Sequence, residues 1–162
     1  MYYRFFIPSD FESLYAIEEE CFQPPQRFPR EYMQLLLDDA DSATWIAERN
    51  GAMVGFGIVE WRLEGEQGDK DRKTAAYLHT VEVTPAQRGQ GVGAELLRRL
   101  EESAREAEAA SIWLHVDERN AGAIRIYTAR GFKYESREED YYGPAHAGLV
   151  YRKRLGAEAE AK

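Results

Sequence analysis

Apolar residues along this 162-residue chain recur with the two-residue period of strands in some segments and the 3.6-residue period of helices in others. Aromatic and β-branched runs predict strands at residues 2–7, 44–48, 53–63, 77–83, 111–117, 132–139 and 149–154. Apolar stripes predict helices at 10–21, at 30–37, after the glycines at 89–93, and from 120 to 131. The order β-α-α-β-β-β-α-β-α-β-β predicts an α/β (α+β) fold, with a mixed, mostly antiparallel sheet and helices on both faces.

Turn-forming residues set the limits of several elements. Ser9 and Glu12 have the spacing of a capping box, which predicts the start of the first helix. The segment 23–29 holds three prolines, so it is expected to form a shaped surface loop. Asn50-Gly51 is a strong signal for a hairpin between the second and third strands.

Neither an internal repeat nor a long linker divides the sequence. The highly charged stretch 64–73 is short enough to be a solvated turn between two strands. We therefore expect a single domain at 1–155, followed by a flexible C-terminal tail at 156–162.

Composition and charge narrow the classes of function. The net charge of −8 and the pI of about 5.0 argue against nucleic acid and anionic membrane lipid as partners. The same acidity would attract a cationic amine, although it also serves solubility. Cys21 is the one cysteine and the three histidines lie far apart, so we expect no disulfide and no metal. Without a leader or a long apolar run, the expected location is cytoplasmic, and a monomer and a homodimer are both open.

The most informative segment joins the strand ending at Val83 to the next helix through a glycine-rich turn. Glycines allow close backbone approach, and a helix N-terminus binds phosphate, so this segment predicts a pyrophosphate site. A Walker A loop would need Gly-Lys-Ser/Thr, and a Rossmann loop would need G-x-G-x-x-G; neither occurs here. A glycine turn without a ligand is the remaining alternative. The predicted phosphate contacts from this segment are Arg88, Gly89, Gln90, Gly91, Val92 and Gly93.

A second motif runs from Asn120 to Phe132 and reads NAGAIRIYTARGF. Asn120 is a good helix N-cap, and Tyr127 shares a helical face with Ala123 and Ile124. By itself this pattern also suits an ordinary core tyrosine. Together with the glycine segment, it makes Tyr127 a candidate for chemistry.

The R-x-x-G-x-G of Arg88–Gly93, its preceding V-x-V-x-P, and the N-x-x-A-x-x-x-Y-x-x-x-G-F of 120–132 resemble the GCN5-related N-acetyltransferase superfamily. The resemblance extends to the element order over nearly the whole chain. It implies the acyl-CoA N-acyltransferase fold, with acetyl-CoA as co-substrate and Asn120 among the cofactor contacts. It also implies that Val81–Val83 offers backbone groups to pantetheine and that the thioester lies where strands 77–83 and 111–117 splay apart. Tyr127 then takes the position of the family's general acid.

Acetyl transfer to an amine needs a neutral nucleophile, donors for the oxyanion and a proton for the leaving thiolate. His115 is one candidate base, because it faces away from the apolar layer of its strand. Tyr77, at the start of the neighbouring strand, could hold a catalytic water with His115. Glu82 is a third candidate. His115 and Glu82 could instead have structural roles. His115 would then be a half-buried histidine, and Glu82 a surface or loop-anchoring residue.

A narrower resemblance concerns the acceptor. Tyr77 with His115, and Tyr141 with Tyr142 in the final hairpin, are similar to residues of protein N-terminal and ribosomal-protein alanine acetyltransferases; Phe28 is similar to a wall of their peptide groove. Three features depart from the alanine enzymes: a slightly longer 23–29 loop, His115 in place of Glu, and no Glu-Asp-Ala after the tyrosine pair. The expected acceptor is therefore a peptide or protein N-terminus. A small-molecule amine (amino acid, polyamine or drug-like) and a non-catalytic CoA-binding domain remain as alternatives.

Overall fold

The computed structural model describes residues 1–156, so the predicted tail lies outside the described residues except for Gly156. The α/β element order predicted from the sequence is confirmed. Short 3-10 turns at Pro8–Asp10 and Pro85–Gln87 supplement it. The strands and helices are β1 (Tyr2–Phe5), α1 (Phe11–Cys21), α2 (Arg30–Asp38), β2 (Ser42–Arg49), β3 (Ala52–Glu64), β4 (Lys73–Val83), α3 (Val92–Glu106), β5 (Ser111–Asp117), α4 (Ala121–Ala129), β6 (Lys133–Glu138) and β7 (Gly148–Arg154).

The strands hydrogen-bond in the order β1-β2-β3-β4-β5-β7-β6. The β4–β5 pair is parallel, whereas β1–β2, β5–β7 and β6–β7 are antiparallel, which confirms a mixed and mostly antiparallel sheet. The chain divides into two compact units. The first comprises Met1–Val59 and His79–Leu100, and the second comprises Glu60–Leu78 and the residues from Glu101 onward.

The core of the first unit forms where α1 and α2 cover β2 and β3. Its fully buried side chains include Leu14 from α1, Met33 from α2 and Phe56 from β3. Two glycines of β3 permit the start of α3 to pack closely on this strand. A Cβ at Gly57 would lie 2.5 Å from a methyl carbon of Leu100, so a side chain there would displace this buried leucine.

The second unit is organised by β5 and by a buried carboxylate on α3. Ile112, Leu114 and Val116 of β5 are buried, and the alternating residues are partly exposed. Glu101 of α3 is fully buried and accepts hydrogen bonds from Arg130 (3.0 Å) and from Lys153 of β7 (2.5 Å). Since Arg130 follows α4 directly, this network holds the C-terminal end of α4 in place.

Several predicted element limits were wrong by one residue or more, and three of the differences have a physical cause. The Ser9–Glu12 capping box does not start α1, because the N-cap is Asp10 after a 3-10 turn. The Asp10 carboxylate instead accepts the N–H of Ile7 (2.8 Å) and pairs with Arg4 (2.7 Å), and β1 ends at Phe5, two residues before the predicted limit.

The third difference lies in β4, which begins at Lys73 rather than at Tyr77. Near the start of this strand, Ala75 pairs with Ser111 of β5 and Ala76 pairs with Ile112. Both alanines are buried. Small side chains without a strand propensity of their own are therefore kept in the strand by pairing and burial.

Candidate active site

The glycine loop, which we define as Arg88–Gly93, connects β4 to α3 in the first unit. The chain leaves the 3-10 turn at Pro85–Gln87 and passes through two left-handed residues, Gly89 with φ 76° and Gly91 with φ 83°. Residues with a Cβ rarely adopt these angles, which explains why glycines stand here. Helix α3 then begins at Val92. Its first N–H groups lack helical acceptors, so together with the helix dipole they can hold a phosphate.

The guanidinium of Arg88 is fixed at the end of β4. Its Nε donates to the carbonyl of Val83 (2.9 Å), and its Nη2 lies 3.4 Å from the sulfur of Cys21. Further along the loop, Arg49 donates to the side-chain oxygen of Gln90 (3.1 Å). Arg88 is exposed to solvent despite these contacts. The glycine loop thus presents a positive charge beside free helix N–H groups, which suits a pyrophosphate.

The other predicted cofactor contacts have structural tasks as well. Val81 and Val83 are partly buried and pack against a cluster that includes the buried Val92. Packing of Val92 anchors the first turn of α3 behind the glycine loop. Asn120 caps α4, since its Oδ1 accepts the N–H of Ala123 (3.1 Å), and this confirms the predicted N-cap. Binding of a cofactor by these residues stays a prediction.

Glu82, one of the predicted bases, is buried beside a second carboxyl group. Glu82 is 3% exposed and Glu18 of α1 is 0% exposed. Thr80 donates to Glu82 Oε2 (2.8 Å), and the N–H of Phe28 donates to Glu18 Oε2 (3.0 Å). Burial, and then a proton shared with Glu18, raise the pKa of Glu82 well above its ordinary value. This environment favours a buried neutral acid at Glu82 over a base that meets a substrate, and the loop at Phe28 is held by Glu18.

Phe28, the predicted wall of a peptide groove, is held on both sides of its backbone. In addition to the bond from its N–H to Glu18, its carbonyl accepts the hydroxyl of Tyr15 (2.7 Å). Its ring lies 5.4 Å from that of Tyr32 on α2, which is 42% exposed. The proline-rich loop therefore ends in a fixed aromatic pair at the surface of the first unit.

Five side chains of the second unit meet around one imidazole, and we call them the His115 cluster: Tyr77, Trp113, His115, Glu138 and Tyr141. The hydroxyl of Tyr77 lies 2.7 Å from Nδ1 of His115, and Oε1 of Glu138 lies 3.2 Å from Nε2. The ring of Tyr141 stacks on the imidazole at 3.9 Å between centroids, with 10° between the planes. Trp113 meets the imidazole edge-on at 5.4 Å. Both ring nitrogens are engaged, and the plane of the ring is fixed.

Strand register explains how Tyr77 and His115 meet. Tyr77 of β4 pairs with Trp113 of β5, so their side chains share one face of the sheet. His115 is two residues further along β5, on the same face as Trp113 and opposite the buried Leu114. The predicted orientation of His115 is therefore confirmed, and the structure brings the predicted pair into direct contact.

Tyr127 lies on α4 and is 8% exposed, with its ring 5.7 Å from that of Phe132. The neighbouring hairpin turn carries Tyr142, whose ring meets Tyr141 at 4.8 Å. Burial, followed by the phenols of Tyr141 and Tyr127, raises the pKa of Tyr142 far above its ordinary value. Tyr142 thus keeps its proton, and a group of phenols that can donate hydrogen bonds connects Tyr127 with the His115 cluster.

Sequence reasoning missed three residues of this region. Glu138 sits in a run of charged residues, and nothing in the sequence distinguishes it from Glu135 or Glu139. Trp113 lies in a strand of alternating apolar residues, and nothing in that pattern singles it out. Gly148 carried a usable signal, because a single glycine at a strand position suggests close approach. A Cβ there would lie 3.0 Å from three carbons of Tyr141.

Within residues 1–156, no group of three or more His, Cys, Asp or Glu side chains is placed to hold a metal ion. In the same part of the chain, no helix combines the length and apolar character needed to cross a membrane.

Comparison with known sequences gives the same family over most of the chain. The model of the acetyltransferase (GNAT) family matches residues 11–132. The chain is 34% identical over 98 residues to streptothricin acetyltransferase of Streptomyces lavendulae, covering 60% of this chain and 48% of that protein. It is 31% identical over 94 residues to the ribosomal protein bS18-alanine N-acetyltransferase of Escherichia coli K12, covering 58% of this chain and 57% of that protein. The chain thus matches about half the length of these curated relatives.

Comparison with solved structures shows the same fold. Arabidopsis thaliana NAA60, solved in complex with a bisubstrate analogue, superimposes with a TM-score of 0.82 at 23% identity, covering 96% of this chain and 99% of that one. The glycine loop, the Asn120–Phe132 motif and the matched residues point to one family. This chain belongs to the GNAT family of acetyltransferases.

Proposed function

We propose that the protein transfers the acetyl group of acetyl-CoA to the N-terminal α-amine of a peptide or protein. The observation that carries this proposal is the direct contact of Tyr77 with His115 Nδ1, beneath an exposed tyrosine of the β6–β7 turn. In this proposal residues 1–155 act as one acetyltransferase domain. The enzyme works in the cytoplasm as a monomer or homodimer, without nucleic acid or membrane as a partner.

The glycine loop supports acetyl-CoA as the co-substrate. Gly91 and the first N–H groups of α3 offer donors to the pyrophosphate, and the exposed Arg88 adds a positive charge. A structure of Arabidopsis thaliana NAA60 has also been solved in complex with acetyl-CoA, and it superimposes on this chain with a TM-score of 0.82 at 22% identity. In this chain Val81 and Val83 would offer backbone groups to the pantetheine arm.

The reaction requires a neutral amine, and Tyr77 and His115 can supply it. The phenol of Tyr77 takes a proton from the ammonium group as its own proton passes to His115 Nδ1. The freed amine attacks the thioester carbon, a C–N bond forms, and collapse of the tetrahedral intermediate breaks the C–S bond. Tyr127 then donates its proton to the departing thiolate, whose ordinary pKa is about 8.5. The second proton that the attacking nitrogen loses as it becomes an amide restores the phenol of Tyr127. An α-amine, with an ordinary pKa near 8, needs less help from the base than a lysine side chain.

The acceptor is inferred from groups on the surface. Tyr141 is 43% exposed and Tyr142 is half-buried, so one phenol can meet an incoming chain while the other supports it. Phe28 and Tyr32 form an aromatic pair that suits an extended peptide. The 31% identity to the ribosomal protein bS18-alanine N-acetyltransferase of Escherichia coli K12 supports this acceptor class.

A second candidate keeps the reaction and replaces the peptide by a small amine. The observation in its favour is the 34% identity to streptothricin acetyltransferase. The net charge of −8 would attract a cationic molecule of either class.

The test measures thiol release from acetyl-CoA against a mixed panel. The panel contains short peptides with different first residues, the same peptides with blocked N-termini, free amino acids, polyamines and streptothricin-like amines. The proposal expects release with particular free N-termini and none with the blocked forms, even where these contain lysine. Release only with small amines would replace the peptide by the second candidate. No release from any acceptor, with acetyl-CoA binding shown by calorimetry, would overturn both.

A further inference from the structure

The imidazole of His115 has a second polar contact beyond Tyr77. Its Nε2 lies 3.2 Å from Oε1 of Glu138, and the side chain of His115 is 9% exposed against 49% for Glu138. One nitrogen of a nearly buried ring therefore faces the proposed reaction, and the other faces a carboxylate at the solvent boundary. Neither the family nor the sequence motifs assign a task to Glu138.

The chemistry of these three groups determines which nitrogen carries the proton. An ionised carboxylate only accepts hydrogen bonds, so Nε2 of His115 must be the donor toward Glu138. In a neutral imidazole the other nitrogen, Nδ1, then has a free lone pair. A phenol keeps its proton at neutral pH, so the hydroxyl of Tyr77 donates to Nδ1. The carboxylate of Glu138 therefore sets the direction of both hydrogen bonds, from Tyr77 to His115 and from His115 to Glu138.

The pairing of β5, β7 and β6 places Glu138 within reach of His115. Glu138 of β6 pairs with Gly148 of β7, and Gly148 pairs with Asp117 of β5, two residues from His115. These positions share one face, and β5 and β6 are about 10 Å apart because β7 lies between them. A side chain at Gly148 would instead press on the ring of Tyr141, which stacks on the imidazole of His115.

The other glutamates near Glu138 are held by arginines. Glu135 accepts a hydrogen bond from Arg152 (3.1 Å), and Glu139 pairs with Arg137. Both are exposed strand or turn residues like Glu138. They differ from it in contacting a cation rather than the imidazole of the proposed base, which makes Glu139 a matched control.

We propose that Glu138 is a positioning residue for acetyl transfer, which holds His115 in its Nε2–H tautomer and stabilises the imidazolium formed during the reaction. The inference rests on the proposed function of the same site. When Tyr77 passes its proton to Nδ1 and replaces it with one from the substrate ammonium, His115 becomes a cation. Glu138 then forms an ion pair with that cation, and the proton remains on the imidazole until solvent removes it.

The experiment compares Glu138→Ala, Glu138→Gln and the control Glu139→Gln in two measurements. The first is the tautomer of His115, read from the ¹⁵N chemical shifts of its imidazole across a pH series. It needs no substrate. We expect the Nε2–H form in the native protein and in Glu139→Gln, and a mixture of tautomers in Glu138→Ala. Glu138→Gln should keep the Nε2–H form in part, because an amide oxygen still accepts the bond.

The second measurement is kcat and KM with the best acceptor of the panel. Glu138→Ala should lower kcat about tenfold with little change in the KM for acetyl-CoA, Glu138→Gln should recover part of the loss, and Glu139→Gln should behave as the native enzyme. An Nδ1–H tautomer in the native protein, or an unchanged tautomer in Glu138→Ala, would overturn the inference. So would equal kcat values in all variants. A native protein with the expected tautomer but no turnover on any acceptor would instead contradict the proposed function.

Discussion

Tyr141 lies flat on the imidazole of His115, with 3.9 Å between ring centroids and 10° between the ring planes. The two residues belong to different elements, His115 to β5 and Tyr141 to the turn after β6. Their contact depends on a third position, because the ring of Tyr141 packs where Gly148 lacks a side chain. The proposed base and the proposed peptide contact are thus oriented by one another.

Replacing Gly148 by alanine should disturb this stack. The new Cβ would lie 3.0 Å from Cβ, Cγ and Cδ2 of Tyr141, a tight contact that requires the ring to shift by a few tenths of an ångström. We expect kcat/KM for a peptide acceptor to fall by about threefold to tenfold, since a displacement of a full ångström can cost about a hundredfold. The measurement is steady-state kinetics, with Gly122→Ala as the control, since a Cβ there has its nearest neighbour at 3.9 Å.

A double-mutant cycle tests whether Gly148→Ala lowers kcat/KM through the ring of Tyr141 or through a wider disturbance of the sheet. If Gly148→Ala acts through the tyrosine ring, it should add little to Tyr141→Ala, because the ring it displaces is already absent. Fully additive losses in the double variant would show that the alanine acts elsewhere in the sheet.

The glycine loop can be tested with a pair of variants matched for backbone strain. Gly91→Glu places bulk and negative charge where the pyrophosphate is expected, and should weaken acetyl-CoA binding about a hundredfold or more. Gly68→Glu introduces the same side chain at a similar φ, 93° against 83°, with open space at both positions. Calorimetry should show normal binding for Gly68→Glu. Equal affinities in the two variants would remove the loop from the cofactor site.

Tyr127→Phe tests the general acid and also the non-catalytic alternative. Loss of the hydroxyl should lower kcat about a hundredfold while acetyl-CoA affinity stays near normal, because the phenol acts only on the departing thiolate. Tyr134→Phe on β6 is the control, since that tyrosine is 57% exposed. Undiminished turnover in Tyr127→Phe would assign the proton to another donor. A native protein that binds acetyl-CoA without turnover would favour a CoA-binding domain.

Much of the fold could be predicted because its signals are local. Asn50 and Gly51 both have positive φ, 53° and 80°, so the hairpin they form follows from two adjacent residues. The start of β4 could not be predicted in this way. Ala75 and Ala76 have little strand propensity, and their strand pairing depends on β5, which lies far along the chain.

The candidate site also combines residues that local sequence signals predict with residues whose contacts depend on distant segments. The face that His115 occupies could be predicted from alternation along its strand, and its pairing with Tyr77 from the resemblance to N-terminal acetyltransferases. The structure brings the two side chains within hydrogen-bonding distance. Glu138 was missed because its contact with His115 crosses β7 and depends on the register of two strand pairs. Glu82 was a candidate because many members of the superfamily use a strand carboxylate, and only the structure shows the buried Glu18 beside it.

The buried carboxyl pair predicts how stability depends on pH. The pKa of Glu82 in the folded protein is raised well above the value of 4.5 that a glutamate ordinarily has. As pH rises above 4.5, the unfolded chain releases this proton while the folded chain keeps it. The free energy of unfolding should therefore fall with rising pH, by up to about 1.4 kcal/mol per pH unit for one proton, until the folded-state pKa is passed. Below 4.5 this contribution to stability is fully present.

Glu82→Gln should remove that dependence, because glutamine keeps the shape and a donor toward Glu18 but cannot ionise. We expect the free energy of unfolding of the variant, relative to the native protein, to increase steadily between about pH 5 and pH 7. Urea denaturation at several pH values measures it. Glu66→Gln, an exposed glutamate in the turn between β3 and β4, should show a constant difference. A constant difference for Glu82→Gln as well would mean that Glu82 ionises in the folded protein, and the shared proton with Glu18 would have to be abandoned.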